Sequence, residues 1–157
     1  YSLAMTIESF RQQYGMGCNV EVVATDLSEE TVKKASEGCF SSLMLKGLPE
    51  SHKQQYMTES DGLWQVDASI RSIIHFTSCD LLGGVGGMGH CDLIICPDEL
   101  IYFSSTIKSE ILNSFSELLE PSGMLIVGAN EPVIHFCTKF ELINHESGIF
   151  YRQLPDA

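Results

Sequence analysis

The chain is poor in positive charge. Nine Lys and Arg stand against 21 Asp and Glu, a formal net charge of -12 over 157 residues. A surface that grips a nucleic-acid backbone needs clustered Lys and Arg, and one that docks on an anionic membrane needs the same. Neither partner is expected, and the charge reads as a solubility device. No apolar run approaches the ~20 residues of a membrane span, so direct membrane insertion is not expected. No Cys-x-x-Cys pair occurs among the six cysteines at 18, 39, 79, 91, 96 and 137. With no signal or transit pattern visible, they read as reduced thiols of a cytoplasmic protein. His90-Cys91 with Cys96 comes nearest to a metal set. Those two cysteines are an odd number apart on an expected strand and point to opposite faces, so no metal site is expected.

What is there suits a globular α/β protein. The apolar content is 44%, enough for one domain with a proper core, with or without a small appendage. Leu3, Ile7, Phe10 and Tyr14 recur at i, i+4, i+7 and i+11, which predicts an opening helix with that face buried. Gly15 and Gly17 break the pattern. A strand follows over 19–24, ending in Thr25-Asp26. Ser28 is an N-cap for a helix whose first turn holds Glu29 and Glu30 and which Gly38 closes. From Cys39 to about Ser78 only short pieces are expected: 40–48, a polar helix near 50–56, 62–66 and 73–76. Asp61-Gly62 is a hairpin turn signal among them. This stretch reads as a small antiparallel insert whose last piece returns to the main sheet.

Main-sheet texture resumes at Cys91–Cys96, an apolar run suited to a strand buried on both faces. A long helix over 105–119 turns Ile107, Ile111, Leu112, Phe115, Leu118 and Leu119 inward. Pro121-Ser122-Gly123 is a turn, Met124–Val127 a strand, and 140–145 with 148–154 a terminal hairpin through Glu146-Ser147. A doubly wound sheet with an antiparallel edge fits that order. Gly84-Val85-Gly86-Gly87-Met88-Gly89 matches G-x-G-x-x-G. A dinucleotide fingerprint must follow a strand and open a helix. This one leads into the strand at Cys91, so it reads as a surface loop.

Four blocks then stand in a recognisable order. They are Tyr1-Ser2-Leu3-Ala4-Met5, Ala24-Thr25-Asp26-Leu27-Ser28, the run from Leu93 through Cys96-Pro97-Asp98 to Tyr102-Phe103, and Leu119-Glu120-Pro121-Ser122-Gly123 with Gly128 and Glu131 beyond it. Between the second and third lie Leu45-Lys46-Gly47-Leu48-Pro49, Tyr56 and Asp80-Leu81-Leu82. Together they span nearly the whole chain, and in this order the sequence resembles the CheR family of chemoreceptor glutamate methyltransferases. The resemblance implies a Rossmann-like S-adenosylmethionine methyltransferase sheet, made by 1–38 and 79–157, with 39–78 as the inserted β-subdomain. In that family a glycine-rich strand-to-helix turn and a Glu-Glu pair precede the first block. The chain therefore reads as most of such a domain lacking its first strand, and is expected to be inactive by itself. Self-association is expected to be open to it through the gap where that strand belongs.

The resemblance also implies site residues. Asp26, at the tip of a strand where α/β sheets bind ligands, accepts the ribose hydroxyls of the cofactor. Asp80 and Leu81 stand where the family has Asn-Leu beside the adenine; the change removes an amide donor. Pro97-Asp98 stands where the family has Arg-Asn, which costs an arginine and a backbone donor and leaves a carboxylate near the reacting region. Tyr102 matches the tyrosine near the transferred methyl and can line a sulfonium pocket by cation–π contact. Gly128-Ala129-Asn130-Glu131 keeps only the glycine and glutamate of the family's Gly-His-Ser-Glu.

The implied function is transfer of methyl from S-adenosylmethionine to glutamate side chains of a chemoreceptor cytoplasmic domain, with S-adenosylhomocysteine as product. The insert would tether the receptor, although its turn at 58–62 is short and has one glycine. A second reading, supported by Pro97, Asp98 and Ala129, is a catalytically weak or inert member that acts by binding.

Overall fold

Three sheets organise the chain in a computed structural model that describes residues 1–83, 85, 87–146 and 148–154. They fall in two units, Tyr1–Cys79 and Asp80–Ala157, and the class is mixed α/β. The first unit opens with helix α1, Ser2–Tyr14, closed by Gly15 in the left-handed region at φ 62°. Its buried residues are Ala4 and Met5, whereas Phe10 is 52% and Tyr14 60% exposed. The expected buried stripe through positions 3, 7, 10 and 14 is therefore corrected. The helix meets its neighbour through other positions: Ser9 Oγ lies 3.0 Å from Tyr56 Oη, and Gln55 donates to Gln12 at 3.0 Å. The helix enters the apolar core through Ala4 and Met5 beside Tyr56, and the bonds from Ser9 and Gln12 extend its contact with the helix that carries Tyr56.

Strand β1, Val22–Asp26, starts three residues later than expected and pairs in parallel with β5, Ile74–Ser78. Helix α2, Glu29–Glu37, lies between its expected caps. Ser28 Oγ accepts from the Thr31 amide at 3.2 Å, and Gly38 adopts φ 64°. The three-stranded antiparallel sheet has the order β2-β4-β3 and is built from β2 Cys39–Ser41, β3 Met57–Ser60 and β4 Leu63–Val66. Asp61 at φ 53° and Gly62 at φ 76° close β3 onto β4 in two residues, the positive-φ pair a two-residue type I′ turn requires. Short helices α3, Glu50–Tyr56, and α4, Ala68–Arg71, complete the unit. Its core gathers Ala4, Met5, Tyr56, Met57, Val66, Ile70 and Ile74.

The second unit holds β6 Cys91–Cys96, a 3-10 turn Leu100–Tyr102, α5 Ser105–Leu118, β7 Leu119–Val127, β8 Phe140–His145 and β9 Gly148–Gln153. The strand order is β6-β7-β9-β8, with β6 and β7 parallel and the other pairs antiparallel. Buried Ile111, Leu112, Phe115 and Leu118 line the inner side of α5, as their spacing requires. The ladder of β7 reaches back to Leu119, but five residues of β7 span what two residues of β6 span between Cys91↔Leu119 and Leu93↔Met124. The expected turn is that bulge, with Ser122 at φ 68°.

The expectation that β6 is buried on both faces is corrected. Only Cys96 is buried; Leu93 and Ile95, which alternate onto one face, are 37% and 41% exposed. β6 is an edge strand whose ladder partner among the described residues is β7 alone, and β1 likewise pairs only with β5. Of the G-x-G-x-x-G run, Gly84 and Gly86 lie outside the described residues, as does Ser147 of the terminal hairpin. Val85 is 4% exposed, so that part of the run is not the surface loop expected.

Candidate functional site

The candidate residues lie at the carboxyl ends of parallel strands, where polar groups can face a ligand without interrupting a ladder. Asp26 is the last residue of β1 and is exposed. Its Oδ1 accepts from the Ser28 amide at 2.8 Å, and its carbonyl accepts from the Cys79 amide at 3.0 Å. A carboxylate has about four acceptor positions, so a single amide leaves capacity for two hydroxyls. Asp80 repeats the arrangement in the second unit: its Oδ1 accepts from the Leu82 amide at 2.9 Å, and Leu81 beside it is half-buried. Both aspartates thus shape their own turns, and both side chains remain exposed.

The segment after β6 carries the other candidates. Pro97 and Asp98 are exposed, and Asp98 adopts φ 60°, which is uncommon for a residue with a Cβ. Tyr102 closes the 3-10 turn and is 78% exposed.

The residue that sequence reasoning underrated is Glu131. It is 5% exposed, and its carboxylate accepts three backbone amides: Gly128 at 2.6 Å, Asp98 at 2.8 Å and Ile101 at 3.0 Å. Its own amide donates to the Gly128 carbonyl at 3.0 Å, closing a turn. A Cβ on Gly128 would lie 2.8 Å from Glu131 Oε2 and would collide with the Asp98 carboxylate, so glycine is required there. The Gly-x-x-Glu spacing after a strand was the available signal. Beside this group, the buried Cys96 thiol is pushed up to about 12, chiefly by burial and then by the negative charges of Glu131 and Glu99. It stays protonated and is not a nucleophile.

Residues 1–149 match the family described as CheR methyltransferase, SAM binding domain. The chain is 34% identical to the chemotaxis protein methyltransferase of Vibrio parahaemolyticus, with 97% of this chain and 56% of the relative covered. It is 33% identical to chemotaxis protein methyltransferase 1 of Pseudomonas aeruginosa, covering 97% and 57%. With the chemotaxis protein methyltransferase of Escherichia coli it shares 31% over 90% of this chain and 51% of the relative. The chain belongs to the CheR methyltransferase family, through its S-adenosylmethionine-binding domain. S-adenosylmethionine is the cofactor of that domain, and the chain spans about half the length of the curated relatives it matches. The residues present fit such a group in kind. In the first unit Asp26 offers spare carboxylate acceptors at a strand tip; in the second, taken by itself, Leu81 offers a half-buried apolar side chain.

Proposed function

We propose that this chain forms most of the catalytic domain of a cytoplasmic protein-glutamate O-methyltransferase that modifies the cytoplasmic domain of chemoreceptors. The observation that carries the reading is Asp26, an exposed carboxylate with spare acceptor capacity at the tip of a parallel strand, inside a block that matches the family. In this reading 1–38 and 79–157 belong to one Rossmann-like sheet and 39–78 is the insert that engages the receptor. The single ladder partner that β1 and β6 each have among the described residues supports a further strand beside each. Either that strand or a second copy of the chain can satisfy those edges.

Asp26 would hold the ribose, Asp80 and Leu81 the adenine, and Pro97, Asp98 and Tyr102 the part nearest the acceptor. The cofactor supplies a methyl group activated on a sulfonium. The glutamate carboxylate that receives it is its own nucleophile, so no general base is required. What this chain contributes is in-line positioning and exclusion of water. Tyr102 presents a ring face that favours positive charge.

A second reading, a weak or inert member that acts by binding, is favoured by one observation. The Asp98 carboxylate stands against Gly128, next to the carboxylate of Glu131, where the family carries an Arg-Asn pair. An incoming carboxylate is repelled there, and each ~1.4 kcal/mol lost in the transition state is tenfold in rate. The deciding test is transfer of radiolabelled methyl to receptor cytoplasmic domains by the full-length protein, read as alkali-labile ester. Label on receptor glutamates supports the enzyme. Its absence from a protein that still binds S-adenosylhomocysteine supports the binding module. Pro97→Arg with Asp98→Asn should raise turnover; a slower double variant refutes the role assigned to these two positions.

A further inference from the structure

We propose that Glu131 is a positioning residue whose carboxylate holds the segment 97–102 in its working conformation. The inference rests on the methyltransferase reading for the relevance of that segment to the cofactor, but the clamp stands on geometry alone. Both carboxylate oxygens are committed: Oε2 to the amides of Gly128 and Asp98, Oε1 to the amide of Ile101. These groups come from the exits of two adjacent parallel strands, since Asp98 and Ile101 follow β6 while Gly128 follows β7. One side chain thus ties together two loops that no ladder joins.

The geometry leaves little room for another solution. Asp98 is held at φ 60°, where a residue with a Cβ persists only if its surroundings enforce it. The hydrogen bond that its backbone amide donates to Glu131 Oε2 is that enforcement. Ile101, the middle residue of the 3-10 turn, is fixed next, and Tyr102 follows immediately, so the clamp anchors that turn and hence where Tyr102 leaves it. Gly128 admits no Cβ, because the two carboxylates occupy that space. Glutamine has the same shape, but its nitrogen would face an amide donor and could not accept. Aspartate is one carbon shorter. Neither can reproduce all three bonds.

The test compares the full-length wild type with Glu131→Gln and with Val133→Ala, a control at a fully buried neighbour outside the candidate site. S-adenosylhomocysteine affinity is measured by calorimetry well below both melting temperatures. Glu131→Gln should raise Kd at least tenfold and Val133→Ala less than threefold, even where the control loses as much stability. Equal changes in the two variants, or an unchanged Kd in Glu131→Gln, overturn the positioning role. Hydrogen exchange in the wild type keeps the inference decidable if Glu131→Gln does not fold. The amides of Asp98, Ile101 and Gly128 should exchange as slowly as the ladder amides of β7, and fast exchange at these three overturns the clamp. A wild type that does not bind S-adenosylhomocysteine defeats the functional reading, and the exchange experiment then decides the clamp by itself.

Discussion

Asp26 and Glu131 are both carboxylates at or beyond the exit of a parallel strand, and they have opposite fates. Asp26 is exposed and spends one acceptor position on the Ser28 amide. Glu131 is buried and spends three, on amides from two loops. The difference teaches how to sort acidic residues in a site of this class. Residue type and place in the fold do not distinguish a ligand-binding carboxylate from a structural one; the number of backbone donors already satisfied does. A carboxylate with one local bond keeps acceptors for a ligand's hydroxyls, whereas one that is buried with three amides on its two oxygens holds the chain.

The comparison breaks most visibly at Glu131. Removing the buried carboxylate in Glu131→Ala takes the acceptor from three part-buried amides, and each group left unsatisfied costs about 1–3 kcal/mol. A loss of roughly 3 kcal/mol or more is expected in urea unfolding. A loss below about 1 kcal/mol would make Glu131 no more structural than Asp26. Gly128→Ala comes next. The added methyl must displace Glu131 Oε2 from 2.8 Å and push aside the Asp98 carboxylate, so about 1–3 kcal/mol of overpacking is expected. Wild-type stability would show that the clamp has room to give.

Cys96 sharpens the comparison through pH. Its folded value of about 12 lies above the ordinary 9.0, so the native state keeps a proton that the unfolded state releases. The associated stability is complete below pH 9 and is lost as pH rises toward 12. Urea midpoints followed from pH 8 upward should fall less steeply in Cys96→Ala than in the wild type. Parallel curves would remove the thiol as the cause. Because Glu131 contributes to the shift, Glu131→Gln should end the fall at a lower pH. The smallest effect belongs to Asp26. As an exposed residue with one local bond, Asp26→Ala should change unfolding free energy by at most about 1 kcal/mol. A larger loss would make Asp26 as structural as Glu131.

Much of the fold was legible where local chemistry decides it. Ser28 and Gly38 bound α2, Asp61-Gly62 turns β3 onto β4, and the apolar period of α5 matches its buried residues. The misses share a cause in partners that a single stretch of sequence does not display. The period of α1 pointed at Phe10 and Tyr14, yet the helix is met through Ser9 and Gln12 by side chains of α3 more than forty positions away. The apolar run of β6 pointed at two-sided burial, yet the strand is an edge among the described residues. At the candidate site, strand tips and family motifs singled out Asp26, Pro97, Asp98 and Tyr102. Glu131 stood out only as one of two residues kept from a family motif, because the three amides it collects come from positions 98, 101 and 128. Only the folded chain brings those donors together.

The most direct measurement is a calorimetric titration of S-adenosylhomocysteine into the full-length protein and its Asp26→Ala variant, with unfolding midpoints taken on the same samples. The account predicts that the wild type binds and that Asp26→Ala binds roughly 10–150-fold more weakly, the equivalent of losing hydrogen bonds to a charged acceptor, at a nearly unchanged midpoint. An unchanged dissociation constant in Asp26→Ala would contradict it.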